Sequence, residues 1–320
     1  MDKKSERLEL SKVFGASVAH EALDYERPDF LIKLPICQTL GVEVTSVFSC
    51  NGAAKLSHMH EYSDALLGGT MRMHRADIGQ FTVDKVVLQQ ENGTYVDTVQ
   101  AIILQQPSPK DAWRLFWAQV QAKEDKIASY LTHCDFVDLI VSDPGRMLLY
   151  RDPEEFQQSF LAAVPKQIAL TSPFREIHLI TSTVDGTEVA IPLRSNLFAG
   201  DCLAFEELLK VEAAEQPWEE NFLLLTACLQ MEGHRHLKVN VEKEAWGLLA
   251  GAWEMHYSED SHALRDWTLP SDHYPGLPVE EWRDNILSLQ DKVQRLVKQR
   301  KELYAAVHLC TQADFSPDVK

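Results

Sequence analysis

The chain lacks most of the residue patterns that announce a function outright. Its six cysteines, at positions 37, 50, 134, 202, 228 and 310, include no Cys-x-x-Cys pair. That spacing fits neither a zinc ribbon nor a disulfide framework, and it implies a reducing, intracellular compartment, the cytoplasm. The longest apolar runs are strand-sized, so no membrane-spanning helix and no membrane partner are expected. The charged segment 1–10 has no apolar stretch behind it, so no signal peptide is expected. There is no Gly-x-x-x-x-Gly-Lys-Ser/Thr loop, no Gly-x-Gly-x-x-Gly after a strand and no Gly-x-Ser-x-Gly elbow. These absences argue against P-loop ATP hydrolysis, dinucleotide binding and α/β-hydrolase chemistry. Internal repeats and low-complexity tracts are also missing.

Basic residues are scarce. Lys and Arg number 31 against 48 Asp and Glu, a formal net charge of −17. Such a surface disfavours non-specific attraction to nucleic acid or to anionic membrane, so a nucleic-acid ligand would have to meet a local basic surface. The apolar fraction of 45% over 320 residues can bury one large core or two modest ones, and the length suggests about two domains.

The order of elements is read from periodicity and punctuation. Residues 4–23 mix charges with Leu8, Leu10, Val13 and Phe14 and predict a first helix, closed before Pro28. Residues 30–34 and 41–48 read as strands, and in the second Glu43 and Thr45 lie opposite the apolar Val42 and Val44. Residues 49–79 show no clean period and read as a loop or small insertion. Residues 80–90 and 95–105 flank Asn92-Gly93, a strong hairpin signal. A long helix over 110–131 is expected from Trp113, Phe116, Val120, Ile127 and Leu131, followed by a buried strand at 136–141, a helix at 153–164 and a strand at 174–183. This gives an α/β mixed sheet flanked by helices over residues 1–183. Residues 184–320 read as a mainly α-helical accessory or oligomerisation region. Helices are expected at 202–211 and 219–231, a strand at 234–241, an irregular Trp-rich segment around Trp246, Trp253 and Trp267, and a final helix over 279–309 that could support a homodimer.

The constellation with most chemical content is Pro28-Asp29-Phe30 followed by Gly41-Val42-Glu43-Val44-Thr45. If the two strands pair, the carboxylates of Asp29 and Glu43 approach one another, and paired hard oxygen ligands are what Mg²⁺ requires. These fragments resemble the PD-(D/E)xK nuclease superfamily, whose fold is restriction-endonuclease-like. In that family an aspartate after a proline and a Glu-x-Lys on the next strand form the metal site. Here Thr45 stands where the lysine is expected, and Gly41-Val42-Glu43-Val44-Thr45 is similar to the variants whose lysine is displaced to the following core helix. The resemblance spans residues 5–145. It implies DNA as substrate, Mg²⁺ or Mn²⁺ held by Asp29 and Glu43, and a lysine from the helix, Lys123 before Lys126. Lys123 follows Val120 by three residues and precedes Ile127 by four, which puts it on the sheet-facing side, while Lys126 is rotated partly away. The resemblance also implies an acid from the first helix, for which Glu9 ranks ahead of Glu21, with Glu6 a further candidate.

Two further features stand beside this. His58-Met59-His60-Glu61 with Asp64 and His74 could wall the cleft or, less readily, bind a transition metal; an ordinary surface loop is the simpler reading. Lys292, Arg295, Lys298, Arg300 and Lys301 form a basic run that could track a nucleic-acid backbone, but late placement in a helix explains it equally as a solvated face. The sequence therefore supports a metal-dependent DNA phosphodiesterase. Its alternative is a catalytically inactive nuclease-like scaffold, an acidic protein that binds or inhibits a protein partner.

Overall fold

The structure, a computed structural model, describes residues 2–34, 38–90, 92–150, 166–212, 218–235, 237–242, 245–258, 261–266 and 277–278, together with 291–302 apart from 293 and 301.

The N-terminal helix α1 (Lys3–Phe14) starts where the Asp2 carboxylate accepts the Ser5 N–H at 2.8 Å, which satisfies one of the free amides of the first turn. Gly15, at φ +86°, ends it and separates it from the short α2 (Ala16–Glu21), so the single expected helix is two. Three antiparallel strands follow: β1 (Leu23–Asp24), β2 (Phe30–Lys33) and β3 (Thr39–Ser46). Residues 49–79, expected to be a loop or small insertion, carry α3 (Asn51–His58) and α4 (His60–Leu67); Tyr62 and Leu66 of α4 pack on Phe81. Their cluster is too small to impose a long helical period on the sequence. The hairpin β4 (Phe81–Gln89) and β5 (Tyr95–Leu104) turns at Gly93, φ +82°. Helix α5 (Pro109–Glu124) is capped by the Ser108 hydroxyl, which accepts the Asp111 N–H, and has Pro109 in its first turn. It stops at Asp125, and α6 (Ile127–Tyr130) continues to β6 (Phe136–Ser142).

The remaining elements are α7 (Lys166–Thr171), β7 (Glu176–Ser182), β8 (Glu188–Pro192), α8 (Leu193–Glu212), α9 (Trp218–Glu232), β9 (Leu237–Glu242), β10 (Ala245–Ala250), β11 (Trp253–Ser258), β12 (Ser261–Asp266) and β13 (Leu277–Pro278). The first sheet has the order β1-β2-β3-β6-β7-β8, with β3, β6 and β7 parallel and the outer strands antiparallel. It is a mixed sheet flanked by helices. Side-chain alternation divides its two faces. Val42, Val44, Ile140 and Ile180 pack with Leu10 and Ala19 of the N-terminal helices. Val137, Leu139, Val141, Ile177 and Leu179 pack with Trp113, Phe116 and Val120 of α5. Each such side chain, fully buried, contributes about 1.5–3 kcal/mol.

Residues 184–320, read as mainly helical, hold strands as well as helices among the described residues. β8 belongs to the first sheet, so that sheet extends past residue 183, and β9–β12 with β13 form a five-stranded antiparallel sheet. The Trp-rich segment is thus ordered strand where Trp246 and Trp253 lie; Trp267 falls outside the described residues. Helix α8 joins two cores: Leu193 and Leu197 pack under the first sheet, and Phe198, Cys202, Phe205 and Leu209 pack with α9 and the second. The helix expected at 153–164 lies outside the described residues. Of the one expected over 279–309, residues 294–300 are helical. Among the described residues no helix is long and apolar enough to cross a membrane.

Candidate active site

The site is built on the pairing of β2 with β3. Their register places Phe30 opposite Val42. β2 begins at Phe30, so the ladder with β2 ends at Val42. The Asp29 carboxylate completes the pattern from the side, accepting the Val44 N–H at 2.9 Å. The approach is close. A Cβ on Gly41 would lie 2.5 Å from Pro28 Cγ and 2.7 Å from Cys134 Sγ, so only glycine fits there. The Pro-Asp and Gly-x-Glu fragments are thus one packing unit that aims Asp29 along β3.

Alternation on β3 turns Glu43 and Thr45 to the face covered by α5, opposite Val42 and Val44. α5 answers with two side chains one turn apart. Gln119 Nε2 donates to Thr45 Oγ1 at 2.6 Å, and Lys123 Nζ donates to Glu43 Oε1 at 2.6 Å. Glu43 is buried, and Lys123 is only 16% exposed. Burial pushes the Glu43 carboxyl above its ordinary range and the Asp29 charge pushes it the same way; hydrogen bonds from Lys123 and from the Tyr130 hydroxyl oppose them. Tyr130, itself buried, is driven well above the usual phenol range by burial first and then by Glu43.

The first helix contributes a cation as well as an acid. Lys3 Nζ lies 3.1 Å from Asp29 Oδ1 and 3.0 Å from Glu6 Oε2, and it sits 5.0 Å from the Phe30 ring centre. Glu6 is thus linked to Asp29 through Lys3. Glu9, ranked first from the sequence, bonds Lys12 at 3.2 Å, and Lys12 also reaches Glu188 on β8 at 2.9 Å. The reason is the path of α1, which packs on β3, β6, β7 and β8 in turn. Its first turn meets Asp29, and each further turn carries side chains toward the far edge. Glu21 has no contact with the cluster, and Lys126 is exposed beyond the end of α5. An open cleft lined by Lys3, Asp24, Tyr25, Glu26, Arg27 and His133 adjoins Asp29, with Tyr25 Oη 3.1 Å from His133 Nδ1.

Sequence reasoning missed Lys3, Tyr130 and Gln119. Lys3 and Glu6 at i, i+3 are neighbours on a helix, which is the one signal that could have joined them. Tyr130 follows a break in the helix, so no helical spacing relates it to Lys123. The histidine segment does not assemble. His58 ends α3 against the Phe48 ring, His60 starts α4, and His74 stacks on Tyr62, whose hydroxyl donates to Asp77 at 2.6 Å. The basic run is also less solvated than expected, because Arg300 is buried and pairs with Asp201 and Glu232; Lys301 lies outside the described residues.

Among the described residues no group of three or more His, Cys, Asp or Glu side chains is arranged to hold a metal by itself. Asp29 and Glu43 nevertheless suit a hard cation that keeps most of its waters and needs only one or two carboxylates. Burial and then the Asp29 charge raise Glu43, and a cation beside both carboxylates would relieve the second of these. No protein family matches the chain, and neither a curated protein nor a solved structure is significantly similar to it.

Proposed function

We propose that the protein is a metal-dependent phosphodiesterase acting on DNA, with a restriction-endonuclease-like core of the PD-(D/E)xK kind whose lysine comes from the helix. The observation that carries this reading is the approach of Lys123 to Glu43 on the strand paired with Asp29: three residues chosen from sequence meet at one polar site in a buried face.

Asp29 and Glu43 would hold Mg²⁺ or Mn²⁺, which when bound polarises a phosphate and lowers the pKa of a water. Lys123, released from Glu43, stabilises the charge that develops on the phosphate oxygens. Tyr130 stays protonated and keeps a hydrogen bond directed at Glu43, which fixes that carboxylate. Lys3 and Arg27 bring two cations to the adjoining cleft, where Asp24 and Glu26 stand beside them.

The test is cleavage of end-labelled duplex and single-stranded DNA with and without Mg²⁺, in wild type and in Asp29→Asn. Cleavage that needs the metal and disappears in the variant supports the reading. A folded wild type that cleaves neither DNA nor RNA with Mg²⁺ or Mn²⁺ overturns it.

A second reading rests on one specific feature. Both carboxylates already have ammonium partners, Lys3 for Asp29 and Lys123 for Glu43, so the same geometry suits an inactive scaffold whose acidic surface binds a protein. Divalent-ion titration separates the two, because a scaffold of this kind binds no ion at Asp29 and Glu43.

A further inference from the structure

A second polar cavity lies far along the chain from Asp29, where the two sheets meet. It is about 270 Å³ in volume, and its wall combines the end of α7, the start of α8, the residues after α9 and the turn between β10 and β11. Among the described residues, none that lines it is acidic, although the chain as a whole is strongly so.

Four observations give the cavity a sign. Arg194 donates to the backbone carbonyls of Phe174, Arg175 and Leu170, and among the described residues no carboxylate lies within ion-pair distance of its guanidinium, Glu176, Asp138 and Glu124 acting on it from farther away. Arg235 is exposed on the same wall. Ser172 is buried, and its oxygen accepts the Phe174 N–H at 3.4 Å, which leaves the hydroxyl proton to donate. Trp253 has an indole N–H that is buried and meets no acceptor among the described residues. A buried donor without an acceptor costs about 1–3 kcal/mol, and an anion in the cavity supplies one. His234 completes the wall. Its Nε2 lies 2.9 Å from Asp201 Oδ2, and Arg300 also binds Asp201, so the ring is held rigidly.

We infer that this cavity is a binding site for a small phosphorylated ligand, with the phosphate group held by Arg194, Arg235 and Ser172 beside the Trp253 indole. Donors from two arginines and a hydroxyl match the acceptor-rich, dianionic phosphate monoester better than a neutral molecule. The volume suits a ligand of mononucleotide size and excludes a polymer. The site is distinct from Asp29 and Glu43 and needs no assumption about their chemistry.

The experiment is calorimetric and tryptophan-fluorescence titration of the full chain with inorganic phosphate, adenosine monophosphate and adenosine. Phosphate and the monophosphate are expected to bind and adenosine is not, with affinity falling as salt rises. Arg235→Ala, at an exposed position that leaves folding intact, is expected to weaken binding about tenfold, the loss of one charge-assisted contact. Trp253→Phe is expected to weaken binding and remove the fluorescence response, while Asp29→Asn leaves binding unchanged. Failure of wild type to bind either phosphate compound overturns the inference. So does binding that survives both cavity substitutions, or that is lost in Asp29→Asn.

Discussion

Lys123 and Glu43 are 80 residues apart in the chain and 2.6 Å apart in the fold. The contact requires β3 to present its polar alternate positions to α5, and α5 to end within a turn of Lys123, so that the ammonium reaches down onto the sheet. Gln119 on Thr45 marks the next turn of the same seam. Thr45 occupies the strand position two residues after Glu43, on the same face, where a lysine would also reach the site.

That geometry makes a rescue prediction. Lys123→Met is expected to lower metal-dependent DNA cleavage by roughly 10²–10³-fold, the loss of one preorganised charge at the reacting phosphate. Adding Thr45→Lys to that variant is expected to restore part of the rate, because the ammonium returns to the same face from the strand. Single-turnover rates on labelled DNA measure both. A double variant no faster than Lys123→Met would mean that the position of the charge on α5 is essential.

The pH dependence follows from Glu43. Its carboxyl is raised in the fold, by burial first and then by Asp29, so the folded state holds its proton more tightly than the unfolded chain. Stability from this group is therefore present at low pH and is lost as pH rises from the unfolded value through the folded one. Glu43→Gln is expected to gain stability relative to wild type as pH goes from 4 to 7. Stabilisation of wild type by Mg²⁺ is expected to grow over the same range, since proton and cation compete for one carboxylate. Thermal melts at several pH values, with and without Mg²⁺, read both trends.

Gly41→Ala tests the packing unit beneath the site. The added Cβ meets the rigid Pro28 ring and the Cys134 sulfur inside van der Waals distance. The expected cost is about 1–3 kcal/mol, as for other overpacked positions. Cys134→Ala in the same chain is expected to recover only part of it, because the proline remains. Urea denaturation of the single and double variants gives the two values.

On the opposite face, Asp138 of β6 is fully buried and accepts Arg175 Nε at 2.8 Å and Nη2 at 2.5 Å, with His178 Nε2 at 3.2 Å from the same carboxylate. Burial acts to raise this carboxyl, but Arg175 and His178 outweigh it and hold it below its ordinary range. Its contribution to stability is present above the unfolded carboxylate pKa and is lost as pH falls through the lower folded value. Arg175→Met is expected to cost about 3–5 kcal/mol near neutral pH by leaving the buried carboxylate without its main partner. Melting curves from pH 3 to 7 should show the difference between the two proteins shrinking toward acid.

Several features were legible in the sequence because they are set within a few residues. The Asn92-Gly93 turn names its own hairpin, the apolar spacing of α5 predicts which face lies on the sheet, and the alternation through β3 separates Glu43 from Val42 and Val44. From those periods alone Lys123 can be placed toward the strand that carries Glu43. Beyond β9, expected as a strand at 234–241, the second sheet was not legible for the complementary reason. β10 is buried or half-buried at every position, so the alternation that marks a strand with one wet face is absent. Short helices α3 and α4 were hidden because a few buried positions do not make a period. What only the tertiary structure decided is the company each charged group keeps. Glu6 rather than Glu9 shares Lys3 with Asp29 because α1 crosses the sheet from β3 toward β8, and Tyr130 reaches Glu43 because the chain bends between α5 and α6. Local sequence sets the face on which a side chain lies, but the angle at which one element crosses another is a property of the packed core, and that angle selects the partner.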